Sequence, residues 1–228
     1  MSDRTDGAAK VTNVWGQAIS AVALVTVFVI GFWALMRTQN ADGTGGDAKP
    51  AACTGGAAEK GDEAAGRVHG AQLCKALNRT DLAALVGTPG EVAKSASGSG
   101  GSIGTAPHPS ARVELDTYTV TLAATYNRLT VATTTELLGA EVTPRKVLGR
   151  TGALYSDRTI GIGFRLDGSD ATSTPGVPAR VLVVPLHAKD SGGFFELTLW
   201  RADGGVPDDA TLLKVADRVL PTVPGWAS

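Results

Sequence analysis

The chain has 228 residues, a formal net charge of −1 and only 5% aromatic residues. That length allows one or two domains. The near-neutral charge implies neither a nucleic-acid footprint nor a trap for acidic substrates. Glycine is abundant, 29 residues against 11 prolines, which points to Gly-rich spacers beside a small core.

Residues 1–10 form a short polar tail with Arg4 and Lys10, and residues 11–36 carry no charge. Within the second stretch runs AISAVALVTVFVIGFWAL, almost wholly apolar. A bilayer core of ~30 Å requires ~20 such residues in a helix, and a soluble helix of this length would show a polar face. Trp15 and Trp33 lie 18 positions apart, roughly 27 Å along a helix. That spacing sets one indole at each headgroup layer, where amphipathic rings are favoured. The reading is a transmembrane helix over 11–36, in contact with the lipid bilayer. A cleaved leader would have a shorter apolar region, followed by a small-residue site. Met36-Arg37-Thr38-Gln39-Asn40 offers none, and Cys53 comes 17 positions after Met36, too far for a lipidated cysteine. The flanking cations (Arg4 and Lys10 against Arg37 and Lys49) give a small inward bias. The short tail and the cysteine pair place the N-terminus inside and the rest extracytoplasmic. Gly16 and Ser20 have the small-xxx-small spacing of packed membrane helices.

Residues 37–66 are rich in Gly, Ala, Asp and Thr and read as a flexible tether. Cys53 in that stretch and Cys74 beyond it are the only cysteines. They are a candidate disulfide, which requires an oxidising compartment. A globular domain over 67–228 follows. HGAQLCKALNRTDLAALVGTPG predicts two short helices, with Asp81 as a cap and Gly87 and Pro89 as a stop. Residues 95–111 read as a loop by composition. Residues 117–126 and 129–137 alternate with period two, and Asn127-Arg128 between them predicts a hairpin. Strands are expected at 153–155 and 159–166, and a second hairpin over 180–187 and 194–201. Residues 181–184 are apolar on both faces, as in a central strand. Pro207-Asp208-Asp209 opens a final helix with the stripe Leu212, Val215, Ala216, Val219 and Leu220. The sum is an α+β domain: an antiparallel sheet of five to seven strands, covered by N- and C-terminal helices.

Chemistry-bearing patterns are sparse. His69, His108 and His187 have no metal-ligand spacing, and no nucleophile elbow, SxxK or phosphate loop occurs. Asp208 and Asp209 read as a helix cap, and Trp200 and Trp226 as packing residues. Asn78-Arg79-Thr80 reads as a chance sequon. Asp157 and Arg158, in LYSDRT, are adjacent charges at a strand turn and the candidate ligand contact. No catalytic residue, cofactor or metal ligand is assigned.

NVWGQAISAV, GAQLCKALNRTDLAALVGTPGE, VELDTYTVTL, VLGRTGALYSDRTI and VPDDATLLKVADRVLPTVPGW resemble a family of uncharacterised streptomycete membrane proteins, over nearly the whole chain. The Arg-, Ala-, Gly- and Val-rich composition fits a high-GC actinobacterial source. More loosely, LCxxL…DLxxLxG and GRxGALYS are similar to actinobacterial envelope lipoproteins with one cysteine bridge. Some of those have an α/β sandwich of the Mog1/PsbP type. This chain departs from them by lacking a lipobox. The resemblance implies an envelope location and an α+β fold, and transfers no functional residue.

The expected function is a non-enzymatic binding or scaffolding module of the cell envelope, its partner a protein or cell-wall component. One alternative is a hydrolase or transferase with a site built from scattered residues such as Asp157, Arg158 and His187. Another is a small subunit of a membrane complex that uses the anchor helix as its interface.

Overall fold

The computed structural model describes residues 49–163 and 172–226. The expected transmembrane helix over 11–36 lies outside them. Among the described residues, no helix is long and apolar enough to cross a membrane. The chain divides into two units, and the one described here, Lys49–Ser228, starts well before residue 67. The end of the expected tether is built into the fold: the Ala51 N–H donates to the Ala93 carbonyl at 2.8 Å, and Asn78 Nδ2 donates to the Ala51 carbonyl at 2.8 Å.

Ten strands are described: β1 (Cys53–Gly55), β2 (Ser95–Ser99), β3 (Ser102–Ile103), β4 (Ala106–Pro107), β5 (Ser110–Glu114), β6 (Tyr118–Thr125), β7 (Thr143–Val147), β8 (Arg150–Gly163), β9 (Thr172–Pro185) and β10 (Phe194–Arg201). The helices are α1 (Gly70–Leu77), α2 (Leu82–Leu85), α3 (Val131–Leu138) and α4 (Asp209–Val219). Eight strands form one sheet in the order β1-β2-β5-β6-β10-β9-β8-β7, while β3 and β4 make a separate pair. The sheet exceeds the expected five to seven strands. It is antiparallel throughout except for the parallel pair β1–β2.

Of the unexpected strands in this sheet, β1 lies in the expected tether, β7 follows α3, and β2 and the start of β5 lie in the segment expected to be a loop. SASGS lacks apolar alternation, yet it forms β2, because its glycine lets a helix lie directly on the sheet. A Cβ on Gly98 would sit 2.4 Å from the Gly70 backbone, and one on Gly70 would sit 2.4 Å from Ser99. Glycine is the residue that permits such backbone approach. The same junction carries the covalent tie. Cys53 of β1 and Cys74 of α1 are joined by a disulfide with a Cα–Cα separation of 6.0 Å.

The expected hairpin of 117–126 with 129–137 is wrong in its second half. Residues 131–138 form α3, not a strand. The Thr130 side chain accepts from the Thr133 N–H, and the Asp190 carboxylate accepts from the Val131 and Ala132 N–H groups. The orphan donors of the first turn are thereby satisfied, which favours a helix despite β-branched residues. β6 meanwhile has partners on both edges, β5 and β10. The strands expected at 153–155 and 159–166 are one strand, β8, as far as Gly163, with a register shift between Arg158 and Ile160; residues 164–166 lie outside the described residues. The β9–β10 hairpin is as expected, with Leu182 opposite Leu197. Asp81 precedes α2, but its carboxylate is taken by Arg79 at 2.7 and 3.0 Å and caps nothing.

One sheet face carries Val113, Val120, Leu122, Leu182, Leu197 and Leu199. They are fully buried with Leu73, Leu77, Leu212 and Val215 of α1 and α4 in the main core. Each such aliphatic side chain contributes about 1.5–3 kcal/mol relative to exposure. Asp208 caps α4 by accepting from the Ala210 N–H at 3.0 Å, and Arg180 pairs with Asp209 at 3.0 Å. The chain's last described turn is held by the buried Arg150. Its guanidinium donates to the Pro185, Leu186 and Trp226 carbonyls and stacks 3.7 Å from the Trp226 ring centroid. Trp226 is therefore a packing residue, as read from the sequence.

Candidate functional site

The other sheet face is only partly covered. Under α3 sits a small second core of Val131, Ala153, Val181 and Val183, with Val142, Tyr155 and Phe194 against it. Alternation along the strands sets which residues extend this face. Asp157 stands opposite Ala179, which stands opposite Trp200, while Tyr155 stands opposite Val181 and Glu196 opposite Val183. Tyr155, Asp157 and Glu196 thus share one face, at the margin of the second core.

Their electrostatics follow from this position. Burial raises the Glu196 carboxyl above the usual glutamate range, and the Asp157 charge adds to it. Burial likewise raises the Tyr155 hydroxyl, helped by Glu196 and Asp157. Two adjoining clefts open here. One of about 140 Å³ is lined by Leu138, Glu141, Val142, Tyr155, Ser156 and Asp157. The second, about 420 Å³, shares Glu141, Ser156 and Asp157 and adds Arg158, Pro178 and Val206. The result is an acidic, partly apolar recess, suited to a cationic or hydrogen-bond-donating group beside an apolar one. Among the described residues, no group of three His, Cys, Asp or Glu side chains is placed to hold a metal ion.

Asp157 and Arg158 lie in this region, exposed, but within strand β8 rather than at a turn. The Arg158 N–H donates to Asp157 Oδ1 at 2.7 Å. His187 does not join them. Asp157 pairs with Ala179, and His187 lies eight residues further along, about 25 Å at strand rise. A catalytic site built from these three residues is not assembled. His69 faces the Gly56 carbonyl at 3.1 Å, and His108 faces Thr125 Oγ1 at 2.8 Å, with burial lowering the His108 imidazole below its ordinary value. Asn78 of the sequon is turned toward Ala51. Sequence reasoning missed Glu141, Tyr155 and Glu196. The available signal was Glu196 itself, a charge inside the second strand of the expected 180–187/194–201 hairpin.

Glu196 yields a pH test. Its pKa is raised in the folded state, so the fold holds this proton more firmly than the unfolded chain does. Stability is unaffected below the ordinary glutamate range, where both states are protonated. It falls as pH rises through that range toward the folded-state pKa. Glu196→Gln is therefore expected to raise Tm near pH 8 and to leave it unchanged near pH 3. Thermal melts of both proteins across pH check this, and an equal difference at both ends contradicts it.

A further cleft, about 430 Å³, lies between α1 and residues 222–224 and is lined by Lys75 and Arg79. Arg79 is engaged there, by Asp81 and by the Arg218 carbonyl at 3.2 Å.

These features define an α+β domain with a large, mostly antiparallel sheet, one disulfide and an acidic recess at a sheet edge. The chain belongs to a family of unknown function, DUF6215, whose model matches residues 9–141. That is in keeping with the resemblance to an uncharacterised family. The match takes in the charge-free run of residues 11–36 and the chain as far as Glu141 at the recess. No curated protein and no solved structure matches the chain.

Proposed function

We propose that this chain is a single-pass membrane protein of the cell envelope, with residues 11–36 as its anchor. Its N-terminus lies inside, and its extracytoplasmic domain is a binding or scaffolding module. The observation that carries the location is the Cys53–Cys74 bridge. It joins the first folded strand to α1 and persists in an oxidising compartment. The charge-free run supports the anchor by its length and by the Trp15 and Trp33 spacing. The dispersal of Asp157 and Arg158 from His187 supports binding over catalysis.

Carbonate extraction of membranes from cells expressing the full chain tests the anchor. The full chain is expected in the pellet, and a variant lacking residues 11–36 in the supernatant. Full-length protein in the supernatant overturns the anchor.

A further inference from the structure

β7 and β8 are unequal in length. β7 pairs with β8 only from Arg150 to Leu154, while β9 follows β8 on to Gly163. From Tyr155 onward, no described strand lies against the outer edge of β8. Such an edge presents backbone donors and acceptors to any extended chain that can reach it. The Arg158 N–H donates to the Asp157 carboxylate at 2.7 Å, a contact that an added strand would exchange for its own carbonyl. Backbone groups alternate sides along a strand, so Ser156 shares the direction of Arg158, and the regular pairing ends at the register shift that follows Arg158.

The recess adjoins this edge. Leu138, Val142 and Tyr155 line its apolar part, and Glu141 and Asp157 its rim. Its volume of about 140 Å³ is close to the ~150 Å³ of a cavity that admits a benzene-sized group. Glu196 lies behind it on the same face. The neighbouring cations do not offset this charge. Arg158 lines the wider cleft, one cation there against Glu141 and Asp157, and Arg180 is engaged by Asp209 and Ser156. The face beside the open edge is acidic, so its complement is basic.

We propose that the outer edge of β8 binds an extended segment of a partner protein by strand addition. The segment places an apolar side chain in the Leu138–Val142–Tyr155 notch and, two residues away, a Lys or Arg against Glu141 and Asp157. The spacing of two follows from strand alternation, which returns a side chain to the same face at every second residue. Backbone pairing supplies affinity in this mode, and the alternating pockets supply specificity. A second copy of this chain fits less well. A twofold pairing centred on this segment sets Asp157 against Asp157 or Arg158 against Arg158, and like charges opposed across a strand pair are unfavourable. The proposal rests on the binding-module reading above.

The test uses the purified full chain in detergent micelles and a displayed library of random nine-residue peptides. Enriched peptides are expected to share an apolar-x-Lys/Arg pattern. They should slow amide exchange at Ser156 and Arg158. Arg158→Pro removes an outward donor and leaves the β9-facing groups of Tyr155 and Asp157 in place, so binding should weaken at least tenfold with Tm little changed. Glu141→Lys, at an exposed position, should turn the selected pattern from basic to acidic and serves as the second variant should Arg158→Pro misfold. The proposal is overturned by no enrichment, by protection at another surface, by equal binding to both variants, or by dimerisation through β8 without peptide. Because the selection is done on purified protein, these outcomes are independent of the membrane location, which the carbonate extraction and fusion experiments decide separately.

Discussion

Replacing Cys53 and Cys74 together by alanine is expected to lower the unfolding free energy by about 3 kcal/mol, the loop-closure value for a bridge of this span. The bridge joins positions 21 residues apart. The loss has a place as well as a size. Residues 53–55 are exposed, and β1 holds to β2 through only three paired positions. The other ties of this segment to the domain are polar, among them Thr54 Oγ1 to the Ala96 carbonyl, the Ala51 contacts, the Gly56 carbonyl facing the Ala71 N–H and His69 Nδ1, and the Arg67–Asp62 pair. None buries a large apolar side chain. Urea melts should show a lower midpoint. Hydrogen exchange should show residues 49–66 opening first, while β6 and β10 keep their protection. A midpoint within error of the wild type, or uniform loss of protection, contradicts this account of the bridge.

A single methyl group on Gly98 is expected to cost about 3 kcal/mol, at the upper end of ordinary overpacking. The added carbon would lie 2.4 Å from the Gly70 carbonyl carbon and oxygen and 2.8 Å from the Ala71 nitrogen. All are backbone atoms, so no side chain can rotate away. α1 must lift from the sheet, and Leu73, Cys74 and Leu77, all fully buried, would lift with it. Gly56 tightens the same junction, since a Cβ there would meet Gly98 and the α1 backbone at 2.6–2.7 Å. Chemical denaturation of Gly98→Ala measures the cost. Ser97→Ala, at an exposed position on the same strand, is the control and should stay within about 0.5 kcal/mol. Equal stability of the two variants would show that α1 does not rest on β2 as described.

Local periodicity explains which elements could be read from the chain. α1 and α4 keep their apolar residues at helical spacing. β6, β9 and β10 alternate or run apolar, and each has the partners that its pattern requires. β2 carries no such pattern. It is a strand because Gly98 meets Gly70, a contact between positions 28 residues apart that no window of sequence displays. α3 misleads in the opposite way: VATTTELL alternates like a strand, but its first turn is fixed by Asp190, far along the chain. The recess shows the same division. Asp157 and Arg158 stood out as adjacent charges. Glu141, Tyr155 and Glu196 join them only through pairing of β8 with β9 and β9 with β10 and through the placement of α3. The family match ends at Glu141, so it does not reach β8, β9 or β10.

The central claim is a domain held outside the membrane by residues 11–36. It is tested most directly by fusing alkaline phosphatase to the C-terminus of the full chain and measuring activity in intact cells. The enzyme requires an oxidising compartment, as the Cys53–Cys74 bridge does. The account predicts active phosphatase that is retained with the membrane fraction. An inactive phosphatase, with a β-galactosidase fusion at the same position fully active, would place the domain inside and contradict it.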